Sequence, residues 1–214
     1  MNTSDSLGKS PIYRAAGNRL ALNLDELEMD KTKAEILALL GKKGFSQIDI
    51  HLDELARSCI PSSKYKRGSR LKQAPQQFDC SSFTKWLYAQ KGISIPRRSI
   101  QQSTIGTRAA LEDLIGGDLI MTSGYINYFF DDPETSIGHV GIVSNDKTVI
   151  HAANAKQHII ESTIEEFVSD GRFRDARRII PKGADVRTFV VPEEREIETS
   201  DDVVWILRQK PRKP

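Results

Sequence analysis

The chain has 214 residues, of which 38% are hydrophobic and 28% are charged, a balance typical of a soluble globular protein with a buried core. The net charge of +2 is too small to indicate a nucleic-acid partner. Two cysteines do not make a disulfide framework and cannot form a closed structural zinc site.

The chain begins with a polar segment, MNTSDSLGKS, and no apolar stretch long enough for a signal-peptide core follows it. The run from Ile36 to Leu40 is the longest nearby and is too short to cross a membrane. These features predict no membrane partner. They indicate a cytoplasmic protein, or one exported by a route that leaves no visible signal peptide.

The first predicted helix follows a capping box made by Thr32 and Glu35. Gly41 or Gly44 can end this helix. The preceding residues, 1–22, have weak patterning and are expected to form an arm. A helical segment is thus predicted near the start of the chain.

Two more helices are predicted before the middle of the chain. One starts near Asp49, and the other starts at Cys80 and ends at Gly92. Phe83 and Leu87 fall on one side of the helix that begins at Cys80, and we interpret them as core residues.

The second half of the chain changes to strand patterns rich in β-branched residues. Asn145-Asp146-Lys147 forms the turn of a predicted hairpin. Helices followed by antiparallel strands predict an α+β fold, in which N-terminal helices pack on an antiparallel sheet. The predicted strands are residues 118–121, 139–144, 148–152, 177–180, 187–191 and 203–207.

Cys80 stands at the predicted helix start, where backbone N–H groups and a partial positive charge can lower the pKa of a thiol. A nearby histidine can form an ion pair with the resulting thiolate. A bridge from Cys80 to Cys59 is not excluded by spacing alone, but we expect both to be free thiols. Taken alone, Cys80 is also consistent with a structural cysteine.

Of the four histidines, His139 and His151 lie on consecutive strands of the predicted hairpin, 12 residues apart. Neighbouring antiparallel strands can place two such side chains together on one face. This pair can supply a base and a group that orients it. His51 and His158 have no such relation and are interpreted as ordinary histidines.

Four separated motifs resemble the NlpC-type family of papain-like cysteine peptidases, which cut bacterial cell-wall peptides. They are FDCSSFTKWLYAQKGISIPRRSIQQ, GGDLI, GHVGIV and VIHAAN, and the resemblance spans roughly residues 49–180. It implies a papain-like core. The corresponding division is an N-terminal helical extension (1–45), a catalytic domain (46–182) and a C-terminal strand extension with a basic tail (183–214).

The resemblance also implies roles for individual residues. Cys80 is the nucleophile, His139 the general base and later the acid, and His151 the orienting third residue. The implied substrate is a peptidoglycan-derived stem peptide cut beside γ-D-glutamate, with no metal or organic cofactor. The implied substrate-binding residues are Tyr65, Asp79 and Ser81, the last two beside a free amine of the peptide.

The chain departs from the family pattern at Ser82, where glycine is usual, and at Arg67-Gly68-Ser69. Residues 122–138 are longer than a simple hairpin loop. They contain the aromatic residues Tyr125, Tyr128, Phe129 and Phe130, which form either a packed surface loop or a wall of the cleft. Three alternatives stay open: a hydrolase of another amide or ester, a delivered toxin or phage-type wall hydrolase, and a non-catalytic binding module. The sequence does not predict an oligomeric state.

Overall fold

The computed structural model describes residues 13–124 and 136–209, and their fold is α+β, as the sequence predicted. The α-helices are α1 (Lys33–Lys42), α2 (Leu52–Ser58), α3 (Cys80–Gln90), α4 (Ser99–Gln102), α5 (Ile164–Val168) and α6 (Ser200–Arg208). The strands are β1 (Arg19–Asn23), β2 (Ser46–Ile48), β3 (Lys64–Tyr65), β4 (Gln77–Phe78), β5 (Thr107–Arg108), β6 (Leu119–Ser123), β7 (Ile137–Val143), β8 (Thr148–Asn154), β9 (His158–Thr163), β10 (Phe173–Arg178) and β11 (Val186–Val190).

The main sheet has six strands in the order β5-β10-β6-β7-β8-β9, and every neighbouring pair is antiparallel. Helix α3 packs against its central part. Phe83, Leu87 and Tyr88 of α3 are fully buried in one cluster with Val140 and Ile150 of the sheet. This packing places the start of α3 beside β7.

A second sheet, with the order β1-β11-β2, joins segments from the two ends of the chain. Leu20 and Leu22 of β1 are buried in a separate hydrophobic cluster, together with residues of α1 and α6. Ala21 between them belongs to the main cluster instead. Residues 13–22 are therefore not an arm, because β1 is buried on both faces. The boundaries 1–45, 46–182 and 183–214 stay a prediction.

The strand predicted at residues 203–207 is wrong, because this segment belongs to α6. Val203, Ile206 and Leu207 are buried, which is the i, i+3, i+4 spacing of a helix. Asp202 accepts from the backbone N–H of Thr199 at the helix start. A short apolar run does not by itself distinguish a strand from a buried helix.

The backbone of β1 approaches the end of α3 so closely that only glycine fits at position 92. Gly92 has a φ of +85°, and a Cβ at this position would lie 2.5 Å from the carbonyl carbon of Leu20. Its carbonyl oxygen accepts from the N–H of Ala21 at 2.9 Å. Gly92 thus ends the helix and holds β1 against it.

Within the described ranges, no helix is long and apolar enough to cross a membrane. In the same residues, no group of three or more His, Cys, Asp or Glu side chains could hold a metal ion.

Candidate active site

Helix α3 starts at Cys80 because Asp79 and Ser82 cap it reciprocally. The Asp79 carboxylate accepts from the backbone N–H of Ser82 at 2.8 Å, and the Ser82 hydroxyl oxygen accepts from the N–H of Asp79 at 2.9 Å. Ser82, which departs from the family pattern, is therefore half of a capping box. The cap fixes the position at which Cys80 enters the helix.

Cys80 is partly exposed, while Cys59 is buried, and both are free thiols as expected. The Cys80 thiol lies against the backbone N–H of Val140 on β7, and Val140 is the residue that follows His139. Burial and the negative charge of Asp79 raise the pKa of Cys80 to about 11. The expectation of a lowered thiol pKa is therefore wrong for the free protein, since these effects exceed those of the N–H groups.

His139 and His151 meet as the hairpin predicted. The Nε2 atom of His139 lies 2.9 Å from Nδ1 of His151. On the far side, Nε2 of His151 lies 3.3 Å from the hydroxyl of Ser162 on β9. The side chains His139, His151 and Ser162 thus form a continuous hydrogen-bonded row across three strands.

Both imidazoles are held neutral near pH 7. Burial, the neighbouring His151 and the charge of Arg172 lower the pKa of His139 to about 3. Burial and Arg172 likewise lower the pKa of His151 to about 4. A neutral imidazole keeps one ring nitrogen free to accept a proton, although a pKa this far below 7 makes His139 a weak base in the free protein.

Gly141 and Phe167 shape the space around the two histidines. A Cβ on Gly141 would lie 2.4 Å from Val149 Cγ1 and 3.2 Å from the Cβ of His151. The Phe167 ring lies 4.8 Å from the His151 ring and 5.4 Å from the His139 ring, between centroids. Residue 141 must therefore be small, and Phe167 limits the tilt of both imidazoles.

Arg97 ties together the residues that flank Cys80. Its guanidinium donates to the Asp79 carboxylate at 2.5 Å, to the Ser81 hydroxyl at 2.8 Å and to the carbonyl of Ser69 at 2.5 Å. Asp79 and Ser81 are both buried. The Asp79 charge is thus already paired, by an arginine that was not predicted to belong to the site. No local sequence pattern indicates this contact, because Arg97 and Asp79 are 18 residues apart.

Tyr65 is half-buried beside the same helix start. Its phenol pKa is raised, first by burial and then by the charges of Cys80 and Asp79. Its backbone N–H donates to Nδ1 of His158 at 3.3 Å. His158 therefore positions the strand that holds Tyr65. The aromatic residues Tyr125, Tyr128, Phe129 and Phe130 lie outside the described residues.

The sequence model of the NlpC/P60 family matches residues 62–178, more than half of the chain. The chain therefore belongs to the NlpC/P60 family, and the resemblance of its four motifs is confirmed. Cys80, His139 and His151 all lie within the matched region, as do Tyr65, Asp79 and Ser81.

Three curated relatives match a shorter part of the chain. A probable endopeptidase of Corynebacterium glutamicum is 40% identical over 91 residues, which are 42% of this chain and 38% of that protein. A gamma-D-glutamyl-L-lysine dipeptidyl-peptidase of Bacillus cereus is 34% identical over 106 residues, 49% of this chain and 29% of that protein. A peptidoglycan DL-endopeptidase of Bacillus licheniformis is 30% identical over 110 residues, 49% of this chain and 22% of that protein. The match spans well under half of each relative.

The Cys80 thiol is expected to be alkylated slowly at neutral pH, with a rate that keeps rising beyond about pH 9. The raised pKa keeps the thiol protonated at pH 7, and the lowered pKa of His139 leaves no imidazolium to stabilise a thiolate. Iodoacetamide rates in a Cys59→Ser variant, measured from about pH 5 to pH 10, test this. A rate constant that is already level from about pH 5 upward would contradict it and indicate a preformed thiolate–imidazolium pair.

Proposed function

We propose that this chain is a cysteine peptidase or amidase that hydrolyses a peptide bond in peptidoglycan stem peptides, beside γ-D-glutamate. The observation that supports this best is the arrangement on β7, where the Cys80 thiol lies at Val140 and the preceding residue, His139, contacts His151 at 2.9 Å. Three relatives with endopeptidase or dipeptidyl-peptidase in their names support the reaction class. Two of those names contain peptidoglycan or γ-D-glutamyl-L-lysine and support the substrate class.

The proposed reaction begins with proton transfer from the Cys80 thiol to Nδ1 of His139. For Nδ1 to accept, the neutral His139 ring must hold its proton on Nε2, which then donates to Nδ1 of His151. His151 in turn holds its own proton on Nε2, facing the Ser162 hydroxyl. The row of three side chains is thus compatible with the tautomer that the base needs.

The sulfur then attacks the carbonyl carbon of the scissile amide. Backbone N–H groups at the start of a helix lack partners within the helix and can stabilise the oxyanion of the tetrahedral intermediate. The intermediate collapses when His139 gives its proton to the leaving amine, and a thioester to Cys80 remains. Water, deprotonated by His139, hydrolyses the thioester and returns the thiol.

Tyr65, Asp79 and Ser81 are proposed to border the part of the cleft that holds the amine end of the peptide. Tyr65 is half-buried near Cys80 and can face the substrate directly. Asp79 and Ser81 both contact Arg97 and so act through its guanidinium.

Purified peptidoglycan fragments test the proposed function. The wild-type chain is expected to release products whose masses locate one cleaved bond beside γ-D-glutamate. Cys80→Ala, assayed in parallel, serves as the matched control for a contaminating hydrolase. Cleavage at a different bond would contradict the substrate assignment, and equal product from both proteins would contradict the role of Cys80.

A further inference from the structure

An open cleft of about 600 Å³ lies beside α3 and is bordered by Lys85 of that helix. It is lined by Gly68, Arg70, Leu71, Lys85, Arg97 and Arg98. Four of these six residues are cations, in a chain whose overall net charge is only +2. The charge of this cleft is therefore a local feature and not a consequence of composition.

Most of this positive charge has no acidic partner. Across residues 13–124 and 136–209, no carboxylate forms an ion pair with Arg70, Lys85 or Arg98, whereas Arg97 is paired with Asp79. The Lys85 ammonium donates to the carbonyl of Ile95, a neutral acceptor. Burial, and after it the nearby charge of Arg97, lower the pKa of Lys85, so these two cations repel each other. An anion in the cleft would relieve that repulsion.

The cleft is connected to the candidate active site by two residues. Arg97 forms part of its wall and contacts both Asp79 and Ser81, the neighbours of Cys80. Lys85 is four residues after Ser81, so it lies one turn further along the same face of α3. Arg97 therefore links the cleft to the residues that flank Cys80.

We propose that this cleft binds an oxyanion, a carboxylate or a phosphate, on the amine-end side of the substrate. The link between this site and the substrate rests on the proposed function, whereas the anion site itself does not. Planar guanidinium groups donate in pairs to either oxyanion, and Arg70 and Arg98 are both exposed at the rim. Leu71, 37% exposed, offers an apolar contact beside them.

This proposal differs from the expectation that Asp79 pairs with a free amine of the substrate. That expectation required an unpaired carboxylate, whereas Asp79 is buried and bound to Arg97. An ammonium group entering the cleft would meet four cations and one neutralised acid. An acidic group should therefore be preferred over a free amine.

Direct binding tests the site independently of catalysis. Isothermal titration of the full chain with pyrophosphate and, separately, with citrate should show saturable binding of at least one, and the pair distinguishes phosphate from carboxylate. The double variant Arg70→Gln/Arg98→Gln should weaken that binding about tenfold or more. Lys72→Gln, an exposed cation outside the cleft, is the matched control and should bind as the wild type does. No binding, or equal binding by the double variant at an unchanged melting temperature, would overturn the proposal.

Kinetics then test the link to substrate. One stem tripeptide is compared with its amine free, acetylated, succinylated or phosphonoacetylated. The wild type should show a kcat/KM about tenfold higher for an acidic derivative than for the acetylated one, and the double variant should reduce this ratio towards one. Equal kcat/KM values for all derivatives in the wild type, or the highest kcat/KM for the free amine, would refute the preference for an acidic group. If no peptide is cleaved, the proposed function fails, while the titration still decides the anion site.

Discussion

Cys80→Ala is expected to abolish peptide hydrolysis, with a loss of roughly 10⁴-fold or more in kcat. The proposed reaction passes through a thioester to this sulfur, and alanine cannot form it. The fold should remain, because the capping box of α3 is formed by Asp79 and Ser82 and does not involve the thiol. Rates on a stem tripeptide, with melting temperatures for both proteins, check the prediction.

Cys59→Ala is the matched control for this experiment. Cys59 is the other free thiol, buried at the end of α2, where its Sγ donates to the carbonyl of Leu55 at 3.5 Å. This variant should lose some stability and keep its activity. Full activity of Cys80→Ala, or loss of activity in Cys59→Ala without unfolding, would reject the assignment of the nucleophile.

His139→Ala is expected to lower kcat by about 10³-fold, whereas His151→Asn should lower it by roughly ten- to a hundredfold. His139 is proposed to transfer the proton itself. His151 only orients the ring, through the 2.9 Å contact between His139 Nε2 and His151 Nδ1. An asparagine carbonyl can accept the same hydrogen bond, so part of the orientation can survive.

The kcat values of His139→Ala and His151→Asn are measured on one substrate, and the melting temperature of each variant checks that it is folded. His151 is buried against Phe167, so His151→Gln provides a second, larger polar replacement if His151→Asn unfolds. A larger loss of kcat in the folded His151 variants than in His139→Ala would indicate that His151 transfers the proton and His139 orients it.

Local sequence patterns predicted those parts of the site that depend on nearby residues. The start of α3 could be predicted because Asp79 caps the helix and the apolar residues Phe83 and Leu87 follow at helical spacing. The contact between His139 and His151 follows from a tight hairpin, because the turn fixes which residues are neighbours.

Features set by distant parts of the chain could not be predicted in this way. Arg97 reaches Asp79 across a loop, and Ser162 reaches His151 from a strand that was not predicted. The thiol pKa depends on how deeply the sulfur is buried, which no local pattern reports. The α6 segment was predicted as a strand because its helical face is buried only after β1, β11 and α1 assemble.

The most direct test of the central claim is labelling by an L-alanyl-γ-D-glutamyl chloromethyl ketone, followed by peptide mapping. The proposed function predicts one label per chain, on Cys80 and not on Cys59, formed much faster than by the same reagent built on α-linked L-glutamate. His139→Ala should slow the labelling, since no other described side chain is proposed to take the proton. A label at another residue, or equal rates for the two reagents, would contradict the claim that Cys80 attacks a γ-D-glutamyl peptide.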